Sequence, residues 1–158
     1  WSYGYRSCWA GACWMSEYHR CRHKYFNRYT INTPMNRLEN IYPSLNSRIK
    51  SSSTNIAVEM VSNIISSSIR EARIDSINII ISYGMTIEDG PPFIMGCSQH
   101  MVDDLDRKYF DFEDSGNSDQ ANAYFTAARL VSSCVFLTNF KSSDDLCEAA
   151  YEAIAAKE

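Results

Sequence analysis

The sequence predicts a small α+β domain in which a β-hairpin or few-stranded antiparallel sheet, at about residues 76–97, packs against three to five helices. Two observations lead to this fold class. The β-branched run Ile77–Ile81 and the apolar run Phe93–Met95 flank the turn-forming segment 88–92, as two strands joined by a turn would. The flanking segments repeat apolar residues at spacings of three and four, as amphipathic helices do. The length of 158 residues, with 45% hydrophobic and 22% charged residues, is that of one globular domain.

Residues 1–34 differ from the rest of the chain. They hold all three Trp residues and five basic residues against one acid, a net charge of +4, whereas residues 35–158 hold ten bases against eighteen acids, a net charge of −8. Neither a helical nor a strand period runs through the first segment. We therefore predict an aromatic and basic N-terminal arm over residues 1–34, either native or an extension ahead of the domain, and a single α+β domain over residues 35–158.

Helix boundaries are predicted from caps, prolines and apolar stripes. Thr33 and Pro34 can begin a helix that turns Leu38 and Ile41 inward and ends before Pro43, because Thr is a good N-cap and Pro suits the first helical position. A loop is expected over residues 43–54. The clearest stripe then predicts a helix from about Asn55 to Ile74. Its inward residues are Ile56, Ala57, Met60, Val61, Ile64, Ile65, Ile69 and Ala72.

After the predicted hairpin, three more helices are expected. A short helix at about residues 100–109 would be followed by a polar loop over Phe110–Ser118, and Ser118 or Asp119 could cap the next helix. Periodicity does not decide whether Val135–Leu137 continues that helix or forms a third strand. The segment 142–145 matches a capping box, with Ser followed three residues later by an acid, and predicts the start of a final helix.

Cysteine usage and hydropathy predict the environment of the chain. Six cysteines permit three disulfides, but Cys97, Cys134 and Cys147 are scattered singly through apolar segments, unlike the dense framework of small secreted domains. These three are predicted to be buried thiols in a reducing, cytoplasmic compartment. Apolar runs fall short of the roughly 20 residues that cross a bilayer, so no membrane partner is expected.

The N-terminal arm contains the candidate metal ligands Cys8, Cys13, His19, Cys21 and His23. Cys and His are the usual ligands of tetrahedral zinc, but the spacing matches no common finger pattern. The same arm interleaves aromatic and basic residues, as single-stranded RNA-binding proteins do. The charge of −8 on the remainder disfavours a nucleic-acid partner. A zinc or RNA-binding module is therefore a second alternative, and no metal or cofactor is assigned.

Two other patterns follow the predicted hairpin. Cys97, His100 and Asp103 are the residue types of a nucleophile, a base and an orienting acid, which is the basis of the first alternative, a small thiol-dependent hydrolase or transferase. Closeness in sequence does not place them together in space. The segment from Asp111 to Asn122 resembles a broken calcium loop, because Asn122 stands at the twelfth place, where a bidentate Glu is required.

The acidic residues after residue 100 lead to the preferred functional hypothesis. The sequence has no phosphate-binding glycine loop, nucleophile elbow or dinucleotide fingerprint. We therefore expect a non-enzymatic interaction domain of the adaptor, inhibitor or immunity type, which binds a partner protein with a basic surface, such as a nuclease-like toxin. The oligomeric state is left open. The predicted partner-binding residues are Asp103, Asp104, Asp106, Asp111, Glu113, Asp114 and Asp119.

Overall fold

The computed structural model describes residues 37–88 and 93–157, which belong to the unit Asn36–Glu158. Seven helices and one two-stranded antiparallel sheet make up the described ranges, so the α+β class is confirmed in its coarse form, with more helix than predicted. The helices are α1 (Arg37–Ile41), α2 (Pro43–Ser51), α3 (Thr54–Glu71), α4 (Ile74–Ser82), α5 (Gln99–Asp114), α6 (Ser118–Thr138) and α7 (Ser143–Ala155), and the strands are β1 (Thr86–Ile87) and β2 (Ile94–Met95).

Helix α6 lies at the centre of the described fold. It contacts α3, α4, α5, α7 and β2. Leu130, Val131 and Cys134 along it have no exposed surface. Small side chains line its contacts, since Ala127 and Ala128 are fully buried, and α7 likewise buries a set of alanines. Small residues let helix backbones approach closely, which favours dense packing of α6 against its neighbours.

The first predicted strand is wrong, because Ile77–Ile81 lies in helix α4. The buried residues of this helix are Ser76 and Ile80, four positions apart, whereas Ile74 and Ile81 are 67% and 54% exposed. This is a helical period, which a five-residue apolar run is too short to reveal by itself. The long amphipathic helix α3 does not pack on this segment but contacts α2, α6 and α7.

The segments on either side of the predicted turn pair as two antiparallel strands, although the first strand begins later than expected, and residues 89–92 of that turn lie outside the described residues. Thr86 pairs with Met95, and Ile87 pairs with Ile94. The second predicted strand, Phe93–Met95, is thus confirmed within one residue. Ile94 is fully buried and anchors the sheet to the core. Gly96 follows at φ +83°, a left-handed conformation that favours glycine, and redirects the chain toward α5.

The N-terminal helices differ from the prediction in two ways. The expected start at Thr33 and Pro34 lies outside the described residues. Helix α1 buries Leu38 and ends before Pro43 as predicted, but Ile41 is exposed. The segment predicted as a loop, residues 43–54, instead forms α2 over most of its length, because Pro43 occupies the first helical position, where no backbone N–H is needed.

The remaining helices follow their sequence signals more closely. Helix α3 confirms the long amphipathic stripe, with the exception of Ile56 at its start, which is exposed. The predicted loop Phe110–Ser118 is wrong in its first half, since α5 continues to Asp114. Val135–Leu137 is helical, and the capping box at the start of α7 is confirmed by both reciprocal hydrogen bonds. None of the described helices has the length and apolar character needed to cross a membrane.

Candidate functional site

Helix α5 carries six of the seven acids that the sequence assigns to partner binding. Its first turn is capped by Ser98, whose side chain accepts a hydrogen bond from the Met101 N–H. Val102 and Leu105 are buried on its inner side. Because side chains three and four residues apart share a helix face, this burial directs the acids of α5 toward its sides and its solvent face.

The acids in the first half of α5 form bonds within the fold. Asp104 accepts a hydrogen bond from the Tyr83 hydroxyl and forms an ion pair with Arg107. Asp106 forms an ion pair with Arg129 on α6. These contacts tie α5 to the end of α4 and to α6. The negative charge of both carboxylates is therefore balanced by residues of the chain itself.

Asp103 lies in the same half of the helix and is exposed. It accepts a hydrogen bond from Gln99 Nε2 at 3.1 Å, one helical turn earlier.

Four acids near the α5–α6 turn have a different environment. Asp111, Glu113, Asp114 and Asp119, which we call the acidic end, are exposed and form no ion pair with any described residue. The chain has no Lys or Arg between Lys108 and Arg129. Three of the four acids lie in the last turn of α5, where the helix dipole is negative. Like charges at that position reduce the stability of the helix.

An aromatic cluster borders the acidic end. The Phe110 ring is 46% exposed and lies with its centroid 4.9 Å from that of Tyr109. Burial, and then a hydrogen bond with Glu113, raises the pKa of the Tyr109 hydroxyl. A hollow of about 150 Å³ adjoins these residues. Its lining consists of Tyr109, Glu113, Gly116, Ser118, Ala121 and Asn122.

Behind α5 lies a buried ionic network that the sequence analysis missed. The Glu152 side chain is only 3% exposed and contacts two guanidinium groups, those of Arg129 at 2.7 Å and of Arg37. Arg37 also pairs with Glu148, and its guanidinium carbon lies 4.2 Å from the centre of the Tyr151 ring. Such burial is tolerated because every charge has a partner of opposite sign. The sequence signal that could have revealed this network is Glu152, a charged residue among the buried alanines of α7.

The electrostatics of this network follow from its pairing. Burial by itself lowers the pKa of Arg129, but the charges of Glu152 and Asp106 outweigh it, and the net pKa is raised. The same balance, with Glu152 and Glu148 as partners, raises the pKa of Arg37. Both arginines are therefore firmly cationic. The network fixes α1, α5, α6 and α7 together and positions α5 behind the acidic end.

The contacts of Cys97 and His100 disfavour the thiol-enzyme alternative. Cys97 is half-buried, and its thiol donates a hydrogen bond to the Ile94 carbonyl oxygen at 3.2 Å. A hydrogen bond with Cys134, together with burial, raises the pKa of the Cys97 thiol well above its usual value. His100 is exposed on the first turn of α5. A catalytic cysteine acts as the thiolate, which this environment opposes.

Neither metal hypothesis gains support from the structure. Asp111 and Glu113 lie in α5 and Asn122 lies in α6, so the calcium-like segment is interrupted helix and not a binding loop. Across residues 37–88 and 93–157, no group of three or more His, Cys, Asp or Glu side chains is arranged to hold a metal ion. The candidate zinc ligands Cys8, Cys13, His19, Cys21 and His23 lie outside the described residues.

Comparison of the chain with protein-family models, with curated proteins and with solved structures found no match.

Proposed function

We propose that this domain binds a partner protein with a basic surface, and that the acidic end of α5 and α6 is its docking site. The observation that carries this proposal is the position of three carboxylates, those of Asp111, Glu113 and Asp114, in the last turn of α5. There they oppose the helix dipole and repel one another. A basic partner would relieve both effects on binding.

The contrast within α5 supports a role in binding for this acidic end. Asp104 and Asp106 have Arg partners within the chain, so the helix does place acids opposite its own cations where stability requires it. The three acids in the last turn of α5 form no ion pair with a described residue. Local features that reduce stability without a structural gain are typical of functional surfaces. The half-exposed Phe110 beside them adds the aromatic contact that protein interfaces favour.

The kind of partner follows from the charge. Carboxylates pair best with Arg and Lys, and charges exposed at the edge of an interface increase the association rate and its salt dependence. The proposed domain is thus an adaptor, inhibitor or immunity-type protein that recognises a basic surface. At 0.15 M ionic strength the Debye length is about 8 Å, so only charges close to the interface contribute strongly.

The test is a comparison of two charge reversals with the same net change. Affinity capture from the native host identifies basic partners, and calorimetry with the purified partner then measures Kd. The double substitution Asp111→Lys/Asp114→Lys is expected to weaken binding by at least about tenfold, or 1.4 kcal/mol. The matched control Glu39→Lys/Glu59→Lys reverses exposed acids on α1 and α3 and should change Kd less than about threefold.

Equal effects of the two double substitutions would contradict the proposal, because they would show that net charge acts without a defined site. Salt provides a second measurement. The difference in affinity between the native chain and Asp111→Lys/Asp114→Lys should shrink as ionic strength rises from 0.05 to 0.5 M, roughly as screening predicts.

A further inference from the structure

Helix α7 presents two glutamates and a tyrosine to the first residue of α1. Glu148, Tyr151 and Glu152 lie three and four residues apart, so they share one face of the helix. The Nε and Nη2 atoms of Arg37 donate to Glu148 Oε2 at 2.8 and 2.5 Å, and Nη2 also contacts Glu152. The guanidinium carbon lies over the Tyr151 ring, 4.2 Å from its centre. We call these three side chains of α7 the arginine site.

The contacts in the arginine site suit a guanidinium better than an ammonium. A guanidinium is planar, donates hydrogen bonds along several directions in its plane and presents a flat face to an aromatic ring. Arg37 uses both properties, since two of its nitrogens bond Glu148 and the group lies over Tyr151. A lysine ammonium has a single nitrogen and no flat face. The geometry therefore selects arginine.

The arginine site requires a cation, because its carboxylates would outnumber the cations beside them if Arg37 were absent. Glu152 also pairs with Arg129 at 2.7 Å, whereas among the described residues only Arg37 forms an ion pair with Glu148. The Glu148 side chain is 21% exposed and that of Glu152 3%, so neither negative charge is fully hydrated. Like charges one helical turn apart also repel each other. An empty site would thus hold an unbalanced, partly buried negative charge, which favours the binding of another cation.

Helix α1 is attached to the fold mainly through the arginine site and one buried leucine, Leu38. It has five residues, and a helix of this length is not stable in isolation, so its position depends on tertiary contacts. Tyr42, at φ −131° and ψ 64°, separates α1 from α2, because the residue before a proline avoids helical backbone angles. Helix α2 has its own attachments, through the buried Ile49 and the ion pair of Lys50 with Asp144. Helix α1 can therefore be released while α2 stays in place.

We propose that the arginine site on α7 binds an arginine side chain of another molecule when Arg37 leaves it. The Arg37 side chain is 34% exposed, so an incoming guanidinium can reach the site from solvent. The proposal goes beyond the docking site on α5 and α6, since it concerns a different helix and names the residue type that is bound. The two proposals can fail independently, because the arginine site is tested with a small molecule and without a partner protein.

The test empties the site and offers it arginine from solution. Arg37→Ala removes the occupant, and the thermal unfolding of the full chain is measured with up to about 50 mM N-acetyl-arginine amide or N-acetyl-lysine amide at constant ionic strength. The two compounds carry the same charge and differ in the group that the site should distinguish. We expect the arginine compound to raise the Tm of Arg37→Ala by roughly 2–4 °C, and the lysine compound to raise it by less than about 1 °C.

Arg73→Ala is the matched control, since it removes an arginine from an exposed ion pair with Asp75. Its Tm, and that of the double variant Arg37→Ala/Glu148→Gln, should not respond to the arginine compound. Equal shifts from the two compounds, equal shifts in Arg37→Ala and Arg73→Ala, or no shift in Arg37→Ala would overturn the proposal. Should Arg37→Ala be unfolded, recovery of helical circular dichroism replaces the Tm as the measurement. The arginine compound should then restore the helical signal and the lysine compound should not, and any other result would equally overturn the proposal.

Discussion

Arg129 Nη1 donates to Glu152 Oε2 across 2.7 Å, at a point where the Glu152 side chain is almost completely buried. Arg37 pairs with Glu152 and Glu148, and Arg129 pairs with Asp106. Five charges from α1, α5, α6 and α7 therefore form one chain of ion pairs. Burying an ion is unfavourable unless a partner of opposite charge lies against it. Removing any one of these charges therefore leaves its partners buried without their opposite charge, which reduces the free energy of unfolding.

Glu152→Gln should reduce the free energy of unfolding by about 3–5 kcal/mol, because it leaves Arg129 buried beside a neutral amide. Urea unfolding followed by circular dichroism measures the change. Glu71→Gln is the matched control: it removes an exposed ion pair with Lys157 and should leave stability almost unchanged. Similar losses for the two variants would show that the burial of the network has no energetic consequence.

The two neighbouring residues Ile80 and Ile81 distinguish the helix of this segment from the strand that the sequence predicts. Ile80 has no exposed surface, so Ile80→Ala should reduce stability by about 2–5 kcal/mol. Ile81→Ala, on the outer side of α4, should change it by less than about 0.5 kcal/mol. In a strand, Ile79 and Ile81 would share a face. Large and equal losses of stability on substitution of Ile79 and Ile81, with no loss at Ile80, would contradict the helix.

Charge at the two ends of neighbouring helices should act with opposite signs. Asp111→Asn removes a carboxylate from the last turn of α5 and should increase stability by about 0.3–1 kcal/mol, because the helix dipole is negative there. Asp119→Asn removes one from the first turn of α6, where the dipole is positive, and should decrease stability by a similar amount. Chemical unfolding at low salt measures both. A loss of stability from Asp111→Asn would remove the main support for a binding role of the acidic end.

The capping box of α7 should make stability depend on pH. The backbone N–H groups of Lys141 and Ser142 donate to Asp145 Oδ2 at 2.8 and 2.9 Å. The hydrogen bond from Lys141, more than that from Ser142, lowers the pKa of Asp145 from the value of 3.8 that the free group has. A carboxyl with a lower pKa in the folded state stabilises the fold above pH 3.8, and this contribution is lost as the pH falls through the folded pKa.

Asp145→Asn tests this dependence, since the amide keeps the shape of the side chain but lacks its charge. At pH 7 the variant should be less stable by about 0.5–1 kcal/mol. The difference from the native chain should shrink progressively as the pH is lowered from 5 toward 3. Urea unfolding at several pH values gives the comparison. A difference that stays constant over this range would assign the effect to packing and not to the charge.

Local signals in the sequence predicted those parts of the fold that depend on local physics. The Ser142–Asp145 capping box and the long stripe of α3 are set by hydrogen bonds and periodicities within a few residues, and both are confirmed. The strand at Phe93–Met95 was predicted from a local signal as well, and its pairing with β1 is confirmed. The acids that the sequence singled out do fall along one helix and at the start of the next. Their role in binding stays a proposal.

Other features were decided only when distant segments met. The run Ile77–Ile81 is compatible with a strand or a helix, and its contact with α6 selected the helix. Asp106 and Arg129 are separated by 23 residues, so nothing near Asp106 in the sequence shows that its charge is balanced while that of Asp111 is not. Contacts between residues far apart in the chain leave no local period or cap, because they arise from packing of complete helices, which is why the tertiary structure alone determined them.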